Sequence, residues 1–179
     1  MRPAIEHIVE RVRKAEDLAR EVENRRLKQS IGAWLKQTGL LSLLTAPFLY
    51  SLVVPLVLLD VWVSFYQWLA FPIYGLPHVS RRDYLVLDRH TLSYLNAIEK
   101  FNCTYCSYAN GVVAYTREVA ARTEQYWCPI KHAHAIKGPH AHYHEFARYG
   151  DANGYRALAI QPDAGPRAGR ARQRRRQPV

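Results

Sequence analysis

The sequence predicts a mainly α-helical, membrane-attached chain with a small metal-stapled domain behind its apolar segment. Three observations carry this. Residues 39–77 hold a single charged side chain, Asp60, a concentration of apolar residues that argues for a membrane segment. Upstream of it, apolar side chains recur at spacings of three and four, the period of one helical face. Downstream, all three cysteines fall within residues 103–128 in a ligand-like spacing. A chain of 179 residues has room for one small domain plus appendages. Four regions follow: an amphipathic or packing helix over 1–38, a membrane anchor with an aromatic belt over 39–79, a small domain over 80–160, and a disordered basic tail over 161–179.

The first region reads as one helix over 4–37. Ile5, Ile8, Val12, Ala15, Ala19 and Val22 form its stripe. The stripe continues as Leu27, Ile31, Trp34 and Leu35. The early part suits packing against another helix. The later part, flanked by Lys28 and Lys36, suits a helix lying in the membrane interface. No apolar run of signal-peptide type occurs in the first 38 residues.

Residues 40–59 carry no charge, which is long enough to span a bilayer once. Residues 61–74 then bring Trp62, Phe65, Tyr66, Trp68, Phe71 and Tyr74, the composition of an aromatic belt. Pro47 and Pro55 each remove a helical donor. Two topologies result: a single tilted span, or a break near Pro55 and a re-entrant hairpin. Arms of about 15 residues would each reach roughly 22 Å, short of a hydrocarbon core of about 30 Å. Lys and Arg on both flanks (Arg25, Arg26, Lys28 and Lys36 before; Arg81, Arg82 and Arg89 after) favour the hairpin, with both flanks cytoplasmic. The cost of a bend in lipid favours the span.

In residues 80–160, Tyr84–Leu87 reads as a short strand. Asp88 is placed to cap a helix reaching about Asn102, with Leu92, Leu95, Ile98 and Phe101 on one face. A turn ends near Asn110-Gly111. Val112–Trp127 is a second helical pattern, and Cys128-Pro129 opens a third helix that stops at Gly138.

The chemistry-bearing cluster is C-x2-C-x21-C-x3-H, formed by Cys103, Cys106, Cys128 and His132. A tight turn aims the first pair of sulfurs at one ion. Cys128 and His132, four apart on a helix, share a face. A Cys3His tetrahedron is the arrangement of a closed structural Zn2+ site. His134 competes for the fourth position. The arrangement is similar to treble-clef-like zinc sites over about residues 100–138. Iron or another thiophilic metal is the alternative cofactor. A Cys103/Cys106 redox pair is a further reading, without the βαβ context such motifs have. His140, His142 and His144 alternate, which on an extended strand places three imidazoles on one side. They are either a polar surface loop or a second, open metal site. Glu99, Glu118 and Glu124 read as solvated helix faces. No G-x-S-x-G, P-loop, H-E-x-x-H or dinucleotide fingerprint occurs.

One longer likeness adds to this. Tyr94–Lys100, Asn102-Cys103, Tyr105-Cys106, Tyr108–Gly111 and Ala121-Arg-Thr-Glu-Gln-Tyr-Trp-Cys-Pro-Ile-Lys-His132, with the preceding apolar segment, resemble a conserved family of bacterial membrane-associated proteins. The resemblance spans roughly residues 40–132. It implies a bacterial, membrane-bound protein and carries no reaction or substrate.

The net charge is +10, and half of it lies in the tail, where six arginines stand against Asp163. Such a tail fits anionic lipid headgroups. Nucleic acid ranks below lipid as a partner because no groove-reading motif is present. The expected protein is therefore a zinc-binding adaptor or anchoring module in the bacterial inner membrane. Its soluble parts face the cytoplasm, and it has a protein partner. A membrane-surface metalloenzyme, or a thiol-redox or metal-handling protein, is the alternative.

Overall fold

A computed structural model describes residues 2–158, with side chains from residue 10 onward. The early heptad positions Ile5 and Ile8, as side chains, and the basic tail lie outside the described residues. Helices dominate, and among the described residues the only β-type pairing is an isolated parallel bridge between Ile130 and Ala147. The expected strand at Tyr84–Leu87 is a 3-10 turn over Arg81–Asp83 followed by irregular chain.

The expected helix over 4–37 is two helices, α1 (Arg2–Arg26) and α2 (Ile31–Thr38). Ser30 starts the second: its Oγ accepts the Ala33 N–H at 3.2 Å, an N-cap that satisfies an otherwise orphaned donor. Gly39, at φ 76°, separates α2 from α3 (Leu40–Ser51). Then α4 (Val53–Tyr74) follows after one residue. That residue, Leu52, keeps right-handed dihedrals of −64° and −14°. Pro55 explains the interruption: its missing N–H would have bonded the Ser51 carbonyl, and in the first turn of α4 that loss costs little. No reversing turn lies near Pro55. By length and composition, Leu40–Tyr74 is one 35-residue helix long and apolar enough to cross a membrane, and none of its most apolar stretch is buried.

Residues 88–127 also differ from the two helices the sequence predicts. Asp88 makes no side-chain cap, and only a 3-10 turn, Arg89–Thr91, follows it. The helix starts later and does not stop: α5 is Ala97–Trp127, 31 residues. Its N-terminus is a reciprocal capping box. Asn96 Oδ1 accepts the Glu99 N–H at 3.0 Å, and Glu99 Oε2 accepts the Asn96 N–H at 2.8 Å. Gly111, read as a turn residue, is helical and buried. A Cβ there would stand 2.7 Å from the Tyr84 carbonyl oxygen and 3.1 Å from Leu85 Cγ. Glycine is needed for close packing, not for a bend. The expected helix after Cys128 is irregular chain with a 3-10 turn at Tyr143–Glu145, and α6 (Ala152–Leu158) follows.

Two compact units divide the described residues. One takes residues 2–52 and 87–108. Polar contacts of aromatic side chains hold it: Tyr50 donates its hydroxyl to Asn102 Oδ1, and Tyr105 donates to the Leu49 carbonyl at 2.6 Å. Ser93 donates to Glu21 Oε2 at 2.8 Å, which, with Arg25, holds that carboxyl below its usual range. The other unit takes residues 53–86 and 109–158 and contains every buried apolar side chain described. Phe71, Val79, Tyr115 and Val119 form its centre, with Val63, Tyr66, Leu76, Tyr84 and Leu85 against them.

Candidate functional site

The second unit is built on the two faces of α4. Asp60, Val63, Gln67, Ala70 and Phe71 recur at helical spacing and face inward, and Asp60, Gln67, Ala70 and Phe71 are buried. Val54, Leu58, Trp62, Phe65, Leu69 and Ile73 recur on the other side and are exposed. The rings of Trp62, Phe65 and Trp68 stand 6.0 Å apart in sequence.

Polar side chains on the inner face hold the irregular return segment 75–86. Gln67 Oε1 accepts the Val79 N–H at 2.7 Å, while its Nε2 donates to the Val79 carbonyl and to Tyr115 Oη, each at 3.2 Å. Arg81 grips Asp60 with two bonds, Nε to Oδ1 at 2.9 Å and Nη2 to Oδ2 at 2.5 Å. A two-pronged arginine–carboxylate pair is the strong form of such a contact. It satisfies the one charge of the apolar segment.

A second layer lies on α5. Glu118 Oε1 accepts from Arg122 Nε at 2.8 Å and stands 3.4 Å from His142 Nε2. Arg122 also donates to the Pro77 carbonyl at 3.0 Å. Burial pushes the Glu118 carboxyl upward, but hydrogen bonds from Arg122 and His142, with their charges, outweigh it and hold the group below its usual range. One and a half turns on, Glu124 Oε2 stands 3.0 Å from His140 Nε2. Donation from the Nε2–H tautomer leaves His140 Nδ1 buried and, among the described residues, without a partner, against the Phe146 ring at 5.3 Å. Gln125 donates to Glu145 at 3.0 Å, and Arg117 donates to the Gly138 carbonyl. Lys131 N–H to Ala147 O at 2.8 Å and Ala147 N–H to Pro129 O at 2.9 Å close the strap 128–147 on itself.

Glu118 and Glu124 are thus not solvated faces. Each is paired with a histidine of the segment that sequence spacing leaves as a polar loop or a metal strand. The missing signal was long-range: the two carboxylates are six apart on a helix and the two histidines two apart on irregular chain. His144 is exposed and 4.0 Å from Glu145. His134 is exposed.

The proposed Cys3His set lacks the elements it was built from. Cys103 and Cys106 lie inside α5, where a tight turn was expected. Cys128 follows its last residue, and His132 lies on irregular chain, so these two share no helical face. His132 instead gives its backbone N–H to Tyr143 Oη at 2.7 Å. Cys103 is half-buried, and Cys106 and Cys128 are exposed. Among the described residues, no group of three or more His, Cys, Asp or Glu is placed to hold a metal ion.

Between α4 and α5 in this unit runs an apolar groove of about 400 Å³. Val63 and Tyr66 supply one wall and Val119, Ala120 and Trp127 the other. Thr116 marks its start along α5; its Oγ1 is buried and unbonded among the described residues. Cys128 is its last lining residue, one turn beyond Glu124. Compared with known family models, with curated proteins and with solved structures, the chain matches none.

Proposed function

We propose that this chain is a non-catalytic anchoring module bound to one face of a membrane through the exposed side of Leu40–Tyr74. The observation that carries the reading is the division of α4 into two faces. One is an uncovered stripe of Val, Leu, Trp, Phe and Ile. The other is a face whose Asp60 and Gln67 are bonded to irregular, charged chain. A stripe of that kind, rich in Trp and Phe, suits the headgroup–acyl boundary. The return segment does not suit the hydrocarbon core, because lipid offers no partners to non-helical backbone. The helix therefore lies in the interface with its packed face toward water.

Lys and Arg on both flanks of the segment support attachment on the cytoplasmic side of a bacterial inner membrane. The second unit then presents the His–carboxylate strap to the aqueous phase, where an adaptor would meet a protein partner. Reporter fusions to each terminus of the full chain test the reading in a bacterial host. Both reporters are active in the cytoplasm if the helix lies in the interface. A periplasmic C-terminus would replace that arrangement with a crossing helix.

A further inference from the structure

The groove between α4 and α5 lies beside the stripe assigned above to the membrane: its α4 wall residues Val63 and Tyr66 are the chain neighbours of Trp62 and Phe65. Its α5 side runs from Thr116 to Cys128, a rise of about 18 Å along the helix. Its volume of about 400 Å³ falls in the range of roughly 300–1,000 Å³ typical of small-molecule sites. The lining is almost wholly carbon. Its one charged member, Glu124, is already paired with His140, so no counter-charge awaits a polar ligand. At the end of the groove stands the exposed thiol of Cys128. An open apolar groove along α5 with a thiol at its end, beside the stripe assigned above to the membrane, suits one ligand class: a long acyl chain carried on an activated carbonyl.

We propose that Cys128 is an S-acylation site and that the groove houses the attached chain. This rests on the membrane-attached reading for the supply of acyl groups, and its chemistry is separable from it. The thiolate of Cys128 attacks the carbonyl carbon of a long-chain acyl thioester. A new carbon–sulfur bond forms, the bond to the departing thiolate breaks, and that thiolate takes up the proton released by Cys128. No electrons are transferred. The product is a thioester-linked acyl chain beside the membrane-facing stripe. Membrane-proximal cysteines are the usual acceptors of such groups, and a second hydrophobic attachment converts reversible binding into stable anchoring.

The test uses the full chain in detergent micelles with palmitoyl-CoA, read by intact mass and peptide mapping. One palmitoyl group adds at Cys128 and is removed by neutral hydroxylamine. Cys128→Ser abolishes it, and Cys103→Ser with Cys106→Ser leaves it unchanged. Ala120 is exposed on the groove wall, so Ala120→Phe fills the slot without burying new bulk in the core. It slows acylation by about tenfold or more, as expected when two methylenes lose their burial, while a small maleimide still labels Cys128 at the wild-type rate. Labelling spread equally over the three cysteines, or an Ala120→Phe variant acylated at the wild-type rate, overturns the assignment. Because micelles replace the bilayer, acylation with no vesicle binding by the wild-type chain refutes the membrane reading alone. Vesicle binding without acylation refutes this inference alone.

Discussion

Gln67→Leu tests whether the return segment 75–86 is fastened to α4 as described. The glutamine amide is buried and makes three bonds: one from the Val79 N–H, one to the Val79 carbonyl and one to Tyr115 Oη. Leucine is similar in size and restores none of them. Val79 is 4% exposed, so water does not replace the lost partners. Tyr115 Oη keeps a longer contact of 3.5 Å to Ser64, which limits its loss. Two orphaned backbone groups at about 1–3 kcal/mol each, less the gain from burying leucine's carbon in place of an amide, give a net loss of about 2–4 kcal/mol. Urea unfolding in mild detergent, followed by tryptophan fluorescence, measures it. The midpoint should fall with little change in slope. A variant as stable as the wild type would mean that Gln67 does not hold the return segment, and the argument against a crossing helix would lose its physical basis.

Other substitutions probe other links. Gly111→Ala should destabilise by about 1–3 kcal/mol despite alanine's better helix propensity, because the added methyl meets the Tyr84 carbonyl oxygen at 2.7 Å; urea unfolding reads it. Glu118 titrates below its usual range in the folded chain, so the stability it contributes is present above its ordinary value of 4.5 and is lost as pH falls through the lower folded value. Glu118→Gln should therefore flatten the acid limb of the stability profile below about pH 4.5. Cys106→Ser, at an exposed position on α5, should change stability by no more than about 0.5 kcal/mol and leave helical circular dichroism intact. Loss of the helical signal on that substitution would return a metal staple to the account.

How far the sequence reached depended on the range of the interaction. The helical class, and the apolar segment with its aromatic stretch, follow from periodicity and composition, which are local. Element boundaries failed where a stronger local signal was passed over. Ser30 caps α2 four residues after α1 ends at Arg26, and the Asn96–Glu99 box starts α5 eight residues after Asp88. Gly111 failed for a different reason. Glycine at a turn and glycine at a close contact look the same in one sequence, and only the Tyr84 carbonyl against it distinguishes them. The cysteine spacing suggested a ligand set on the premise of a turn after Cys103. With α5 continuous, that premise is gone. The His140–Glu124 and His142–Glu118 pairs join residues 16 and 24 positions apart, across irregular chain, and no periodicity reports them.

Flotation of the full chain with vesicles containing anionic lipid tests attachment through Leu40–Tyr74 most directly. Trp62→Glu combined with Phe65→Glu changes only side chains that are already exposed. The two aromatic groups together are worth about 3–6 kcal/mol of apolar burial. The wild-type chain should float with the vesicles, and the double variant should partition at least about a hundredfold less while keeping its helical content. A wild-type chain that stays monomeric in the aqueous layer, or a double variant that floats equally well, would contradict the account.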